Sequence, residues 1–328
     1  MPRAIRFHTL GGPEVLTVEE LPVRSPGPGE VRIRVDAVGL NRAEVNFRRG
    51  TYVEAPRLPA GLGTEAAGEI LELGPEVDGW APGDAVSVVP SFSQNDYPVY
   101  AEEAVVPARS LVRRPEGMDA VTGAGVWMPY VTVYGMVAEV ARVRPGDRVV
   151  VTAAANSIGV AALQVLRSLG ATPVATTPTD AHGDALRAAG AAEVVVTGPY
   201  DSAPDSLGDA LGKADLVLDA VGGPQVAQLV RATVPGGTVL VHGGLSGLPT
   251  PLPGGAYAPV WLRRYLVSEI TRDPAALRRA EAFVRAGLTT GALVPLIDRI
   301  FAFDEVREAH EYIDSPDRAP GKPVLRVR

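Results

Sequence analysis

An apolar run at residues 148–151, Arg-Val-Val-Val, leads into small residues and then a helix-forming stretch. Residues 151–163 read VTAAANSIGVAAL. A strand–turn–helix of this kind suits a dinucleotide. The turn must be tight, let backbone come close to a pyrophosphate, and aim a helix N-terminus at it. Ala154 keeps the turn slim where glycine is the usual solution. Asn156 and Ser157 offer polar side chains and amides, Ile158 continues into the helix, and Gly159 lets helix and strand approach closely. About twenty residues on, an acidic residue would take a ribose 2′-hydroxyl, and Arg or Lys a 2′-phosphate. The sequence has Thr176 and Thr177 there. Their hydroxyls suit either ribose, so these residues leave NADPH and NADH both open. Two further segments end apolar runs with glycines. DAVGG (219–223) carries Val221 and Gly222, and VHGGLSG (241–247) carries Gly243, Gly244, Leu245 and Ser246. Both can pass backbone near a cofactor, and Asp219 also reads as a cap for the next helix.

The elements that must hold these residues follow from periodicity. Up to about residue 124 the pattern is all-β. EVRIRVDAVGL (30–40) alternates with period two, EAAGEILELG (65–74) and DAVSVVP (84–90) continue it, and RSPGPGE (24–30) is a loop. From about residue 126 short apolar strands alternate with helices, beginning with WMPYVTVYGMVAEV (127–140). Helices are predicted over 158–169, 181–189 and 224–233, and RRYLVSEI (263–270) is expected as a last strand. Such alternation predicts a parallel sheet covered on both faces. DPAALRRAEAFVRAGL (273–288) reads as an amphipathic helix with Asp273 as cap and Pro274 in first position. The tail returns to strand-like patterns. The predicted fold class is α/β, with a β domain from 1–124 and 268–328 and a doubly wound domain from 125–267.

Composition narrows the chemistry. A length of 328 residues favours two domains. A net charge of -7 argues against nucleic-acid binding. The absence of cysteine excludes disulfides, thiolate metal sites and cysteine nucleophiles. The four histidines, His8, His182, His242 and His310, lack ligand spacing and are expected at the surface or as satisfied core residues, so no metal site is predicted. No signal-peptide core and no long apolar run is seen, so a cytoplasmic protein with no membrane partner is expected.

Several segments together carry a family likeness: GLNRAEVNFRRGTY (39–52), LPAGLGTEAAGEI (58–70), PSFSQNDYPVYAEEAVVPA (90–108), WMPYVTVYG (127–135) and PGGTVLVHGGLSGLPTP (235–251). The chain resembles the zinc-free quinone oxidoreductase branch of the medium-chain dehydrogenase/reductase superfamily over nearly its whole length. The resemblance implies a GroES-like β domain completed by the tail, a Rossmann domain between, and a cleft at their junction. It implies reduction of quinones or of activated C=C bonds in small molecules by hydride from NADPH, and a homodimer through the Rossmann sheet edge at RRYLVSEI. It places Asn41 and Tyr52 on the nicotinamide pocket, Thr64 and Thr132 beside the nicotinamide, Tyr200 against adenine and Lys322 near a 2′-phosphate. Loops at 50–58 and 251–261 are expected to shape the substrate pocket. Asn41 falls near the position where zinc-dependent relatives carry a cysteine ligand, and their four-cysteine lobe is missing. Two departures stand out: Asn46, where a second tyrosine is common, and Pro129, where relatives have another residue. With no evident general acid, the proton is expected from water. Two other readings fit the same scaffold. One is a redox-silent enzyme of cyclisation, addition or isomerisation. The other is a nucleotide-binding sensor without catalysis.

Overall fold

Period-two patterning builds the first of two units in the computed structural model, which describes residues 1–202, 204–254, 259–315 and 318–328. Its strands are β1 (Arg3–Phe7), β2 (Thr17–Glu20), β3 (Glu30–Gly39), β4 (Ala60–Gly61), β5 (Ala66–Leu73), β6 (Ala85–Val88), β7 (Glu103–Pro107) and β8 (Leu111–Arg113). Helix α1 (Arg42–Arg48) follows β3. The alternation in β3 sends Val31, Ile33, Val35 and Ala37 inward. Arg32 and Arg34, on the other face, pair with Glu72 and Glu69 across the antiparallel ladder to β5. Each such pair adds a few tenths of a kcal/mol up to about 1 kcal/mol, so the register rests mainly on the buried face. β1 pairs with β2 and β4 in a separate small sheet.

The second unit is the alternating α/β part. Helix α2 (Ala120–Tyr134), whose residues up to Met128 belong to the first unit, runs on through Pro129 into a π-helical turn at Gly135–Val140. Then come β9 (Arg148–Val151), α3 (Ser157–Ser168), β10 (Thr172–Thr177), α4 (Gly183–Ala189), β11 (Glu193–Val196), α5 (Leu207–Leu211), β12 (Ala214–Asp219), α6 (Val226–Ala232), β13 (Thr233–Val241), β14 (Trp261–Arg264), α7 (Ser268–Thr271) and α8 (Pro274–Thr290). All six strands are parallel, in the order β11-β10-β9-β12-β13-β14. The order reverses between β9 and β12, and ligands of such sheets bind at the carboxyl ends beside that point. Asp273 caps α8 through a hydrogen bond from the Ala275 amide (2.9 Å), with Pro274 at its first turn. The strand expected at 263–270 is shifted. It occupies 261–264, Tyr265 turns into the interior, and 268–271 is helical. Within the expected loop at 251–261, residues 255–258 lie outside those described.

The chain then returns to the first unit with β15 (Ile297–Ala302), α9 (Val306–Asp314) and β16 (Lys322–Arg326). β16 lies between β15 and β3 in a seven-stranded sheet. Phe301, Phe303 and Leu325 join the core of Ile5, Phe7, Ile33, Phe47 and Val86. The two units are Met1–Met128 with Ile297–Arg318 and Lys322–Arg328, and Pro129–Leu296 with Ala319–Gly321. The return expected at residue 268 thus falls at 297. Residues 268–296 stay with the second unit, where α8 packs on α7 and on the π-helical turn.

His310, on α9, is fully buried edge-on to Tyr100, with ring centroids 5.9 Å apart. It is a core residue but not a satisfied one, since neither ring nitrogen has a hydrogen-bond partner among the described residues. Burial, aided by Arg48, Arg42 and Arg49, pushes its pKa down to about 3 from 6.5. The unfolded chain therefore binds more protons between these values. This contribution to stability is complete above about pH 6.5 and declines as pH falls toward 3. Replacing His310 by Leu is expected to reduce the acid loss of stability between about pH 7 and 4.5 by about 2–3 kcal/mol in urea unfolding. An unchanged acid loss would show that the ring is not held neutral.

Candidate functional site

The turn after β9 is built around Asn156 and Gly159. Asn156 is the cap of α3: its Oδ1 accepts from the Gly159 amide (2.8 Å) and its Nδ2 donates to the Ala153 carbonyl (2.8 Å). Its side chain is thus committed to shaping the turn, and its contribution to a ligand is indirect. A Cβ on Gly159 would lie 2.5 Å from the Ala154 Cα and carbonyl oxygen, so only glycine lets the helix close on the turn. Ala153 stands at φ +50°, a left-handed conformation that costs a non-glycine residue roughly 1–2 kcal/mol. The expected glycine is replaced by a strained alanine that keeps the same geometry. The buried Ala154 amide donates to the Thr176 carbonyl (2.9 Å) and the Ala153 amide to Thr176 Oγ1 (3.3 Å). The Gly321 amide holds the Ala155 carbonyl (3.2 Å). The Ser157 amide, at the first turn of the twelve-residue α3, faces the Gly321 carbonyl in the same parallel bridge, while the Ile158 amide has no protein acceptor among the described residues. A free N–H group at a helix N-terminus, with the helix dipole behind it, attracts phosphate oxygens.

The neighbouring strand ends close around this turn. Ala153, Ala220 and Val221 form a small buried apolar cluster on which Tyr200 and Leu245 pack. Asp219, at the end of β12, is fully buried and accepts four hydrogen bonds: from Thr152 Oγ1 (2.8 Å), the Val221 amide (3.0 Å), Gln225 Nε2 (3.1 Å) and the Gly222 amide (2.9 Å). Burial raises its pKa, and these donors oppose the rise. It fixes the whole 219–223 turn as well as the following helix. Gly243 comes so near that a Cβ would sit 2.2 Å from the Ala220 carbonyl oxygen. The Leu245 and Ser246 amides donate to the Ala220 and Val221 carbonyls (3.1 and 3.0 Å). Gly244 is exposed, with open space where a side chain would be. Thr177 is buried with its hydroxyl unpartnered. The free Ile158 amide, the orphaned Thr177 hydroxyl and the open glycine fit a dinucleotide along the carboxyl ends of β9, β10, β12 and β13.

The first unit holds a separate polar cluster. Lys322, 1% exposed, pairs with Glu65 (Nζ–Oε2, 2.6 Å) and donates to Asn41 Oδ1. The other Glu65 oxygen accepts the Met128 amide (2.7 Å). Asn41 Nδ2 donates to the Gly39 carbonyl (3.3 Å). Gly39 allows this closeness, because a Cβ there would meet the Ala124 carbonyl at 2.0 Å and Glu65 Oε2 at 2.6 Å. Glu44, at the third position of α1, accepts the Asn41 amide (2.8 Å) and the Thr64 hydroxyl (3.3 Å). Burial pushes Glu44 up to about 7; Lys322 opposes and Glu65 adds to the rise. A place for Lys322 on a 2′-phosphate does not fit this arrangement, since two buried acids draw the ammonium inward. The donor set does not fit zinc either. The Lys322 ammonium already occupies the cation position between Asn41 and Glu65, and a second cation there would meet its charge. Tyr52 stacks edge-on against Phe47 (6.3 Å), half-buried, while Thr132 is buried on α2 in the second unit. Glu44 and Glu65 were not among the expected site residues. The spacing Asn41-x-x-Glu44 is a helix-start signature that points to Glu44; Glu65 has no such signal.

A model of the alcohol dehydrogenase GroES-like domain matches residues 27–134, and one described as zinc-binding dehydrogenase matches residues 189–325. The quinone oxidoreductase of Pseudomonas aeruginosa is 29% identical over 329 residues, covering 99% of each chain. Among solved structures, the quinone oxidoreductase of Pseudomonas syringae pv. Tomato DC3000 is 26% identical, with a TM-score of 0.89 over 100% of both chains. The Escherichia coli quinone oxidoreductase, solved with NADPH, is 24% identical. It has a TM-score of 0.88 over 99% of this chain and 100% of that one, which speaks for the fold.

Proposed function

The chain belongs to the quinone oxidoreductase branch of the medium-chain dehydrogenase/reductase superfamily, and we propose that it reduces quinones or electron-poor C=C bonds with NADPH, without a metal. The observation that supports the reading is the tight turn before α3: Asn156 and Gly159 hold it closed, and the free Ile158 amide sits at the helix N-terminus where a phosphate would bind. When bound, the reduced nicotinamide supplies a hydride. We assign Ala154, Asn156, Ser157, Ile158 and Gly159 to the pyrophosphate, and Thr176, Thr177 and Tyr200 to the adenosine end. Val221, Gly222, Gly243, Gly244, Leu245 and Ser246 are assigned to the nicotinamide end. Asn41, Tyr52, Thr64 and Thr132 are assigned to orienting the nicotinamide and the substrate carbonyl, where hydrogen bonds stabilise the negative oxygen that forms. Arg187 supplies the 2′-phosphate cation that Lys322 does not. Its Nη1 lies 3.2 Å from where a Gly183 Cβ would be, at the turn following β10, beside Asp180 and paired with Asp184.

The test is a panel of quinones and α,β-enones with NADPH or NADH, followed by absorbance of the reduced cofactor, with and without a chelator. Chelator-insensitive oxidation of NADPH is expected, and Arg187→Ala should weaken NADPH more than NADH. No oxidation across the panel overturns the reading, and substrate conversion without any cofactor change indicates the redox-silent alternative. The edge strand β14, unpaired on its outer side among the described residues and with Trp261 73% exposed, supports assembly through that edge. The expected mass in solution is that of two chains.

A further inference from the structure

Reduction by hydride leaves an oxyanion that must take up one proton, and the polar cluster of the first unit contains a source for it. Glu65 is fully engaged: Lys322 neutralises one oxygen and the Met128 amide binds the other. Glu44 has no cation of its own among the described residues. It is 0% exposed, held by the Asn41 amide on one oxygen and facing the Thr64 hydroxyl on the other. Two buried carboxylates therefore share one ammonium, and an unpaired buried charge is neutralised by a proton in preference to remaining ionised. The other ionisable neighbour of the two acids is Tyr100, which burial and both carboxylates hold in its neutral form. Arg48, on the same helix as Glu44, is turned toward the Gly11 carbonyl (2.8 Å). Thr64 keeps 7% of its surface open while Glu44 keeps none.

We propose that Glu44 is the proton reservoir of the reaction and acts through Thr64, with Lys322 and Glu65 fixing its position. This rests on the reductase reading given above. The nicotinamide is oxidised as the hydride forms a new C–H or O–H bond on the substrate. The Thr64 O–H then breaks as its proton joins the substrate oxyanion or its conjugate carbon. The Glu44 O–H breaks as the Thr64 O–H is remade. Glu44 is left as a carboxylate and takes a proton from solvent after product departs, so no further reactant is needed.

Because the carboxyl titrates near 7, the sign is defined: the reservoir is full below that pH and empties above it. The test measures kcat against pH for the unaltered protein, Glu44→Gln, Thr64→Val and Thr64→Ser, and follows the infrared band of a protonated carboxyl without substrate. The unaltered protein should lose kcat by about tenfold per pH unit above about pH 7. Glu44→Gln should lower kcat by about 100-fold, abolish that limb and leave both KM values in place, and Thr64→Val should lower kcat as far and abolish the limb as well. Thr64→Ser should restore rate and limb. The carboxyl band should titrate near 7, vanish in Glu44→Gln and persist in Thr64→Val. Retention of rate and limb by Glu44→Gln, or by Thr64→Val if the first variant fails to fold, overturns the proposal. So does a band unaffected by Glu44→Gln. If no acceptor is reduced at all, the reductase reading fails, while the band alone still decides whether Glu44 holds a proton.

Discussion

Lys322→Met is expected to lower the unfolding free energy by about 3–5 kcal/mol, measured by urea denaturation near neutral pH. The substitution keeps the length and most of the volume of the side chain. What it removes is the ammonium beside Glu65 at 2.6 Å. That leaves a carboxylate with no cation in a site that water does not reach, and loss of one partner from a buried pair is far costlier than loss of both. Asn41 also loses the donor on its Oδ1, so the start of α1 loosens together with the Glu65 segment. The double variant Lys322→Met/Glu65→Gln should recover much of the loss. A single variant within 1 kcal/mol or so of the unaltered protein would mean that Glu65 sits in a wetter place than its geometry indicates.

Asp219→Ala is expected to cost about 3 kcal/mol or more and to weaken NADPH binding by about tenfold or more. Removal of the carboxylate orphans the Val221 and Gly222 amides, the Thr152 hydroxyl and the Gln225 amide together. Each buried group left unpaired costs about 1–3 kcal/mol, although the turn will recover part of this by relaxing. Relaxation is itself damaging, because Gly243, Leu245 and Ser246 register against Ala220 and Val221. Calorimetric titration with NADPH and thermal unfolding check the two effects. Affinity that survives while stability falls would separate the 219–223 turn from the cofactor.

Much of the scaffold was legible because it is local. The period-two burial of Val31, Ile33 and Val35, the alternation of apolar strands with helices, and the Asp273-Pro274 start of α8 are each written within a dozen residues. The turn at 151–159 was legible for the same reason, although Asn156 caps where a direct ligand contact was expected. Placements that depend on distant partners were not legible. Lys322 meets Glu65 across 257 positions of chain, and no periodicity or spacing encodes such an encounter. The resemblance therefore put Lys322 on the wrong task. The end of β14 was misjudged because LVSEI is as apolar as a strand, while tertiary packing draws Tyr265 inward and helicity begins at Ser268.

The place of β16 between β15 and β3 has a consequence for how the protein is made. The sheet that begins with β3 is completed by residues that leave the ribosome only after the entire second unit. At roughly 5–20 residues per second, the interval from Gly39 to Lys322 lasts on the order of 15–60 s. Throughout it the Ala37–Gly39 edge of the nascent sheet lacks its partner, and Glu44 and Glu65 lack their ammonium. The later unit is thus free to fold first, and the unit translated first is held open to chaperones until Lys322 emerges.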